Sequence, residues 1–184
     1  MRKNLGVKTA IYPQPALMLG TWNEDGTANM MYAAWGGVSD YDELTIACSK
    51  EHKTTENFLR TGALTVSIGT VETVAPCDYV GTASGNDVAD KAGKAGFHAV
   101  KAENVDAPIF EELPLAIECK VKEYCEETGK LTAEIVNVSV CESIMTDDKI
   151  DMTKFHPFVF CESTGEYLAL GDVLGFAWNV GAEL

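Results

Sequence analysis

A cluster of cationic and hydroxyl side chains occupies the segment SKEHKTTENFLRTG, residues 49–62, of a chain whose formal net charge is −14. Ser49, His52 and Lys53 lead into a predicted short helix, for which Thr54 is the expected N-cap. The first backbone N–H groups of a helix have no intrahelical partner, and the helix dipole attracts negative charge to them. The segment therefore has the chemistry of a phosphate site. Spacing alone also allows a solvated basic turn with an ordinary threonine cap.

The common catalytic signatures are absent from the sequence. There is no Walker loop, no G-x-G-x-x-G, no H-E-x-x-H and no G-x-S-x-G. The Ser84-Gly85 pair resembles a nucleophile site only superficially, because the three histidines lie in unrelated segments, at His52, His98 and His156. The residues thus give no basis for a Ser/His triad.

The chain contains six cysteines, at Cys48, Cys77, Cys119, Cys125, Cys141 and Cys161. They form no C-x-x-C pair and no Cys/His pattern at zinc-finger spacing. Cys119 and Cys141 lie in apolar, strand-like segments, where a free cysteine behaves as a small hydrophobic residue. Reduced, buried thiols are therefore predicted, and neither a metal site nor a disulfide framework is expected.

The negative charge is concentrated in the second half of the chain. Residues 1–101 carry 9 Lys and Arg against 11 Asp and Glu, whereas residues 102–184 carry 5 against 17. Binding to a phosphate backbone depends on clustered cations and a positive surface field. The charge therefore argues against nucleic acid as a partner, and against a nucleic-acid-binding OB-like barrel.

The length and hydropathy of the chain favour one folded domain, residues 1–184, in the cytoplasm. Hydrophobic residues make up 46% of the chain and charged residues 23%, which excludes the disordered class. No apolar run approaches the roughly 18 residues that a membrane span requires. The N-terminal segment lacks the continuous apolar core and cleavage site of a secretory signal. No membrane association is predicted.

Short apolar segments separated by turn residues predict a mainly β protein. Asp25-Gly26 indicates a hairpin between the runs PALMLGTW and ANMMYAAW. Helical patterns are expected only at 54–62, near 71–80 and near 87–95, with Gly62 ending the first helix. Regular βαβ alternation is missing, so we predict an antiparallel barrel with short inserted helices rather than a doubly wound sheet.

Two longer strands are predicted in the second half. In LPLAIECKVKEYCEE the apolar residues Leu115, Ile117, Cys119 and Val121 alternate with Glu118, Lys120 and Lys122, the period-2 pattern of a half-buried strand. In KLTAEIVNVSVCESIM the apolar face changes between Ile135 and Val136, which indicates a β-bulge or a strand crossing between two environments.

Four segments, taken in order, resemble one protein family. They are PQPALMLGTWNEDGTANMMYAAW, SKEHKTTENFLRTGALTVSIG, CDYVGTASGNDVADK and GEYLALGDVLGFAWNVG. Their order and spacing are similar to those of flavin reductase-like proteins of the FMN-binding split-barrel class, from about Pro13 to Gly181. The resemblance implies an antiparallel, Greek-key split β-barrel that binds FMN near the interface of a homodimer.

The resemblance also implies a set of cofactor-binding residues. In such proteins the turn that holds the phosphate matches Ser49, Lys53 and Thr54, which gives the segment 49–62 a function. The rest of the implied set contacts the flavin and its phosphoribityl chain: Asn29, Met30, Trp35, Ala83, Ser84, Asp90 and Lys91. A lysine beside the flavin ring stabilises the anionic reduced flavin.

Several of these positions have plain alternatives or depart from the family pattern. Asn29 could instead be a polar residue beside a turn, and Trp35 could be a core residue. Lys91 could be a solvated residue on an exposed helix face. Where the family carries an arginine, this chain has Asn86. A cysteine at a position such as Cys77 is more commonly a buried, inert thiol than a redox-active one. In the final segments, packing is the more common role for His156, Phe158 and Tyr167.

The resemblance implies an oxidoreductase in which bound FMN transfers hydride or electrons and no side chain acts as nucleophile. The electron donor would be NAD(P)H or a redox protein. The alternative is a non-enzymatic FMN-binding protein that carries electrons, stores flavin or senses it.

Overall fold

The computed structural model describes residues 1–182 and is mainly β, as predicted. Fourteen strands are present in this part of the chain: β1 Gln14–Pro15, β2 Leu17–Trp22, β3 Ala28–Ala33, β4 Gly36–Asp40, β5 Glu43–Ala47, β6 Ala63–Ile68, β7 Ala99–Lys101, β8 Pro108–Phe110, β9 Leu115–Cys125, β10 Lys130–Val140, β11 Met145–Thr146, β12 Lys149–Ile150, β13 Phe158–Cys161 and β14 Glu166–Ala169. The helices are α1 Lys53–Thr61, α2 Val74–Thr82 and α3 Lys91–Lys94, with short 3-10 turns at Val71–Thr73 and Glu142–Ile144.

One sheet of seven strands forms most of the body, in the order β3-β2-β6-β9-β10-β5-β4. Every neighbouring pair in it is antiparallel. The sheet curls into a split barrel, which confirms the predicted fold class. A smaller sheet of order β1-β13-β14 lies beside it. No helix between residues 1 and 182 has the length and apolar character needed to cross a bilayer.

Strand β2 is buried on both faces and therefore joins two cores. Leu17 and Leu19 face the barrel interior, where they pack with Phe58 of α1. Met18 faces the opposite side, where it packs with Met30 of β3 and with Phe110 of β8. This explains why β2 reads as a continuous apolar run, whereas β9 alternates.

The predicted hairpins and the predicted bulge are confirmed. Strands β2 and β3 pair in register from Leu17 opposite Ala33 to Trp22 opposite Ala28. Strands β9 and β10 pair over most of their length, with a register shift between Ile135 and Asn137. That shift coincides with the change of apolar face at Val136, because one extra residue turns the following side chains to the other face.

The predicted helices exist, but their boundaries differ. Helix α1 ends at a left-handed Gly62 (φ 69°), as predicted, and its N-cap is His52 rather than Thr54. The second helix extends to Thr82 instead of ending near residue 80. The third is reduced to Lys91–Lys94, because Asp90 takes a left-handed conformation (φ 49°) and its carboxylate accepts a hydrogen bond from the Gly93 N–H.

The cysteines are less uniformly buried than predicted. Cys48, Cys77 and Cys119 are buried, and Cys125 and Cys161 are partly buried. Cys141 is exposed, because strand β10 ends one residue before it and the chain turns away from the sheet there. The expectation of a buried thiol at Cys141 is therefore wrong.

Candidate functional site

A cleft of about 240 Å³ opens where the start of α1, strand β3 and the loop between α2 and α3 meet. Six of the ten residues implied by the sequence line it: Asn29, Lys53, Thr54, Ala83, Ser84 and Lys91. They come from three separate parts of the chain. The fold therefore brings the segment 49–62 and the segment SGNDVADK to one place.

The start of α1 offers hydrogen-bond donors to this cleft. The Thr55 and Glu56 N–H groups donate to the His52 carbonyl, at 2.9 and 3.2 Å. Between residues 1 and 182, the backbone N–H groups of Lys53 and Thr54 find no acceptor. The Lys53 ammonium pairs with Glu56 at 2.7 Å. Two open N–H groups, a helix dipole and a nearby ammonium together form a site for an anion.

A buried polar network fixes the position of this helix start. The Asn29 amide donates to the Thr54 hydroxyl at 2.8 Å and lies within 3.2 Å of the Thr21 hydroxyl. Asn57 donates to the same Thr21 oxygen and to the Asn23 side chain. Thr54 is the second residue of α1 rather than its cap, and its buried hydroxyl accepts this hydrogen bond from Asn29. Asn29 thus joins strand β3 to α1 at the edge of the cleft.

Lys91 is a buried cation, with only 4% of its surface exposed. Its ammonium donates to the carbonyls of Val80 and Ala83, at 2.8 and 2.7 Å, at the C-terminal end of α2. A cation there is favourable for the helix dipole. Burial lowers the pKa of Lys91 from its usual 10.5 to about 8. Two of the three ammonium donors are used in the structure, and the residue lines the cleft.

The loop between α2 and α3 approaches α1 closely at Gly85. A Cβ at Gly85 would lie 2.6 Å from the Asn29 amide oxygen and 3.0 Å from the Lys53 Cβ. The next residue, Asn86, donates from its side chain to the Glu51 carbonyl at 2.9 Å. This position, an arginine in the resembling family, therefore holds the loop against the turn before α1.

Four implied residues lie outside the lining of the cleft. Met30 faces the second core cluster, and Asp90 caps α3. The Ser49 hydroxyl donates to Glu51 in an adjacent hollow. Trp35 is 54% exposed in a separate, larger hollow of about 660 Å³, so it is not a core residue.

The cleft also contains residues outside the implied set: Met31, Tyr32, Glu51, His52, Gly81, Thr82 and Gly85. Of these, the sequence had singled out only His52, as part of the cationic turn. Alternation along β3 identifies Met31, because it shares a strand face with Asn29 and Met30 does not. No local signal identifies Tyr32, whose place depends on contacts with Phe158 and Tyr167 from distant strands, with ring centroids at 6.5 and 6.0 Å.

Phe158, Tyr167 and Cys77 pack or form hydrogen bonds beside Tyr32. Phe158 is buried and Tyr167 donates to Asp78 at 2.7 Å, while His156 remains exposed. Burial raises the pKa of Tyr32 to about 12, with the neighbouring Cys77 and Asp78 adding to it. Burial also raises the pKa of Cys77 to about 11, so that thiol is protonated and unreactive near neutral pH.

The donors in the cleft fit a phosphate group better than they fit a hydrolytic reaction. The open N–H groups at Lys53 and Thr54 match a phosphate, and Lys91 supplies a positive charge at a second point. Among the residues that the structure describes, the Ser84 hydroxyl makes one hydrogen bond, which it accepts from the Asn86 N–H in its own turn. The donor set of the cleft is thus suited to an anionic group such as a phosphate.

Comparisons with known proteins identify the family of the chain. The family model "Flavin reductase like domain" matches residues 9–163. A search of curated proteins finds no match.

Solved structures are similar over nearly the whole chain. Flavoredoxin of Desulfovibrio vulgaris (Miyazaki F) is 36% identical, with a TM-score of 0.93 and coverage of 98% of this chain and 100% of that one. Flavoredoxin from Methanosarcina acetivorans is 28% identical, with a TM-score of 0.87 and 99% coverage of both chains. An FMN-binding domain of a flavin reductases-like enzyme from Shewanella baltica OS155 is 19% identical, with a TM-score of 0.79 and 89% coverage of both, and shares the fold. Because the family model covers most of its length, this chain belongs to the flavin reductase-like family.

Proposed function

We propose that the protein is an FMN-binding oxidoreductase that transfers hydride or electrons through the bound flavin. The observation that carries the proposal is the cleft in which open N–H groups at Lys53 and Thr54 and the buried Lys91 ammonium meet within an acidic protein. Family membership and the 36% identity to a flavoredoxin support it.

Different residues would hold different parts of FMN. Lys53 and Thr54 would bind the phosphate, with Ser49 completing the turn, and Asn29 fixes the helix start that they need. Ala83 and Ser84 would contact the flavin from the loop between α2 and α3, and Met30 and Asp90, outside the lining, would support β3 and α3 beside it. Trp35 lies in a separate hollow, and its contact with the flavin stays a prediction. When bound, the flavin supplies the redox chemistry, and the chain supplies binding, orientation and electrostatics.

Lys91 has the most direct influence on that chemistry. The α2 carbonyls hold its ammonium at the cleft, and its pKa of about 8 keeps it protonated at pH 7. A fixed positive charge favours negative charge on a reduced flavin and so raises its potential.

The proposal has two forms, which differ in the electron donor. An NAD(P)H-dependent flavin reductase and a flavoredoxin-type electron-transfer protein would share the cleft. A non-enzymatic protein for flavin storage or sensing is the alternative that needs no donor. We expect NADH or NADPH to bleach the FMN-loaded protein rapidly without oxygen if it is a reductase. Reduction only by a redox protein identifies a carrier, and failure of every donor to reduce the flavin contradicts an oxidoreductase.

We also propose that the protein is a homodimer. The hollow around Trp35 has an apolar lining that includes Ile11 and Val38, both largely exposed. The C-terminal segment 170–182 exposes further large apolar residues, among them Phe176 and Trp178. Apolar surface of this extent is typical of an interface between protein chains.

A further inference from the structure

We propose that His52 is a phosphate-recognition residue of the flavin cleft, which takes up a proton when a phosphomonoester binds and so favours FMN over riboflavin. This inference rests on the proposed function, and it assigns a role to a residue outside the set that the sequence implied.

The position of His52 leaves its imidazole available to a ligand. The backbone of His52 is the N-cap of α1, but its side chain makes no capping hydrogen bond. The carbonyl of His52 already accepts from the Thr55 and Glu56 N–H groups, so the residue is fixed by its backbone alone. The side chain is partly buried and lines the same cleft as the open N–H groups of Lys53 and Thr54.

The charged groups around His52 come from two elements. On its own segment lie Glu51 and Lys53, and Lys53 is paired with Glu56. From α3 comes Lys91. Burial, followed by the charge of Lys91, lowers the pKa of His52 below its ordinary value of 6.5, and Glu51 opposes this. The imidazole is therefore neutral at pH 7 when the cleft holds no anion.

A bound phosphomonoester changes this balance. It carries close to two negative charges near neutral pH, since its second pKa is about 6. An opposite charge at hydrogen-bond distance raises the pKa of a histidine, so the imidazole takes a proton from solvent and becomes a double donor. Riboflavin has no phosphate and brings no such charge. Binding of FMN is thus coupled to the uptake of one proton by His52, whereas binding of riboflavin is not.

The test is an NMR pH titration of the histidine rings with the protein alone, with riboflavin and with FMN. The chain has only three histidines, so His52→Gln, His98→Gln and His156→Gln assign every signal. We expect FMN to raise the pKa of His52 by about one unit or more, riboflavin to leave it unmoved, and neither flavin to move the exposed His98 and His156.

Binding measurements on the same variants complete the test. His52→Gln is expected to weaken FMN binding at pH 6.5 by up to about tenfold and to leave riboflavin binding unchanged, since a one-unit pKa shift corresponds to a tenfold coupling. His98→Gln, on the surface beside Glu112, is the matched control and should leave both affinities unchanged.

The outcomes separate this inference from the proposed function. If FMN binds but the His52 signal titrates as in the free protein, or shifts equally with riboflavin, the role of His52 is overturned and the proposed function stands. If the wild-type protein binds no FMN, both are overturned.

Discussion

Lys91 shows how one side chain can serve the fold and the site together. Its ammonium closes the end of α2 through the Val80 and Ala83 carbonyls, and it lines the cleft. Lysine is seldom this buried unless its donors are satisfied. The same burial that makes its hydrogen bonds strong also brings its pKa close to the physiological range.

The charge of Lys91 leads to a pH dependence of flavin binding. Its pKa of about 8 means that the ammonium is present at pH 7 and largely lost at pH 9. An anionic ligand stabilises the protonated form, so FMN affinity should fall by up to about tenfold per pH unit above pH 8. Fluorescence titrations of FMN between pH 7 and 9 measure this.

The variant Lys91→Met tests the same residue without its charge. We expect it to bind FMN more weakly at pH 7 and to lose the decline above pH 8. It also leaves the Val80 and Ala83 carbonyls without their donor, so its thermal stability should be measured in parallel. An unchanged decline in the variant would contradict the assignment to Lys91.

Two elements, α1 and the loop between α2 and α3, form the cleft by packing against each other. The contact is tight at Gly85, where only a glycine avoids the Asn29 side chain and the Lys53 Cβ. A hydrogen bond from Asn86 to Glu51 holds the loop in this place. The width of the cleft therefore depends on the absence of a side chain at Gly85.

A methyl group at Gly85 should open this contact. The added Cβ of Gly85→Ala would lie 2.6 Å from the Asn29 amide oxygen, so the loop or the Asn29 side chain must move. We expect FMN affinity to fall about tenfold or more. Thermal unfolding of the same variant shows whether a lower affinity comes from the opened contact or from a loss of folding. An unchanged FMN affinity in the folded variant would show that the loop contact does not shape the site.

Another buried charge holds the loop 102–107 to the main sheet. Glu118 on β9 is 1% exposed and accepts hydrogen bonds from Asn137 at 2.6 Å and from the Asn104 N–H at 2.7 Å. Burial by itself would raise the pKa of Glu118, but these hydrogen bonds lower it overall. The carboxylate thus contributes stability above its unfolded pKa of about 4.5, and this contribution is lost as the pH falls.

Replacing this carboxylate gives a prediction about stability. Glu118→Gln should lower the free energy of unfolding at pH 7 by about 1–3 kcal/mol. The NH₂ group of the glutamine would face the N–H donors of Asn104 and Asn137 and could not accept their hydrogen bonds. The difference from wild type should stay constant down to about pH 4.5 and shrink as the pH is lowered further, through the lowered pKa of the folded state. Urea denaturation at several pH values measures both effects. A constant difference across that range would contradict the role of the carboxylate charge.

Local sequence patterns predicted where helices, strands and turns lie, but they predicted less well which residues are buried by distant parts of the chain. The hairpin at Asp25-Gly26, the end of α1 at Gly62 and the bulge near Val136 are set by neighbouring residues, and each was predictable. Glu118 was expected on the polar face of its strand, yet it is buried by a loop that is distant in sequence. The site of Trp35 likewise depends on the N-terminal segment that borders its hollow.

The implied cofactor site shows the same division. The segments that line the cleft could be identified, since the order of motifs matches a family. Strand alternation could have selected Met31 over Met30. The N-cap at His52 and the place of Tyr32 could not be predicted, because the polar network at Thr54 and the ring contacts of Tyr32 come from distant parts of the chain. Whether the outlying residues Trp35 and Ser49 contact FMN stays a prediction.

At the scale of the whole molecule, the chain combines a strongly acidic surface with exposed apolar regions. The net charge of −14 favours solubility and would repel an anionic cofactor at long range. The cleft overcomes this locally with Lys53, Lys91 and helix N–H groups. The apolar hollow around Trp35 and the segment 170–182 are the surfaces that a second copy of the chain would cover.

The proposed dimer is tested by a charge placed in that hollow. Trp35→Asp should shift the protein from dimer to monomer in sedimentation velocity, since a carboxylate in an apolar interface is costly to desolvate. Because Trp35 is already exposed in the isolated chain, we expect the fold to be retained. Tyr41→Asp, at another exposed aromatic residue, is the control and should remain dimeric. A wild-type monomer would contradict the dimer outright.

The most direct measurement of the central claim is the absorption spectrum of the purified protein, followed by release and identification of its cofactor. We predict a yellow protein with flavin absorption bands, or a colourless one that gains them on addition of FMN, with one FMN bound for each chain. Lys53→Ala combined with Thr54→Ala should weaken retention of FMN. A protein that is colourless as purified and cannot be reconstituted with FMN would contradict the account.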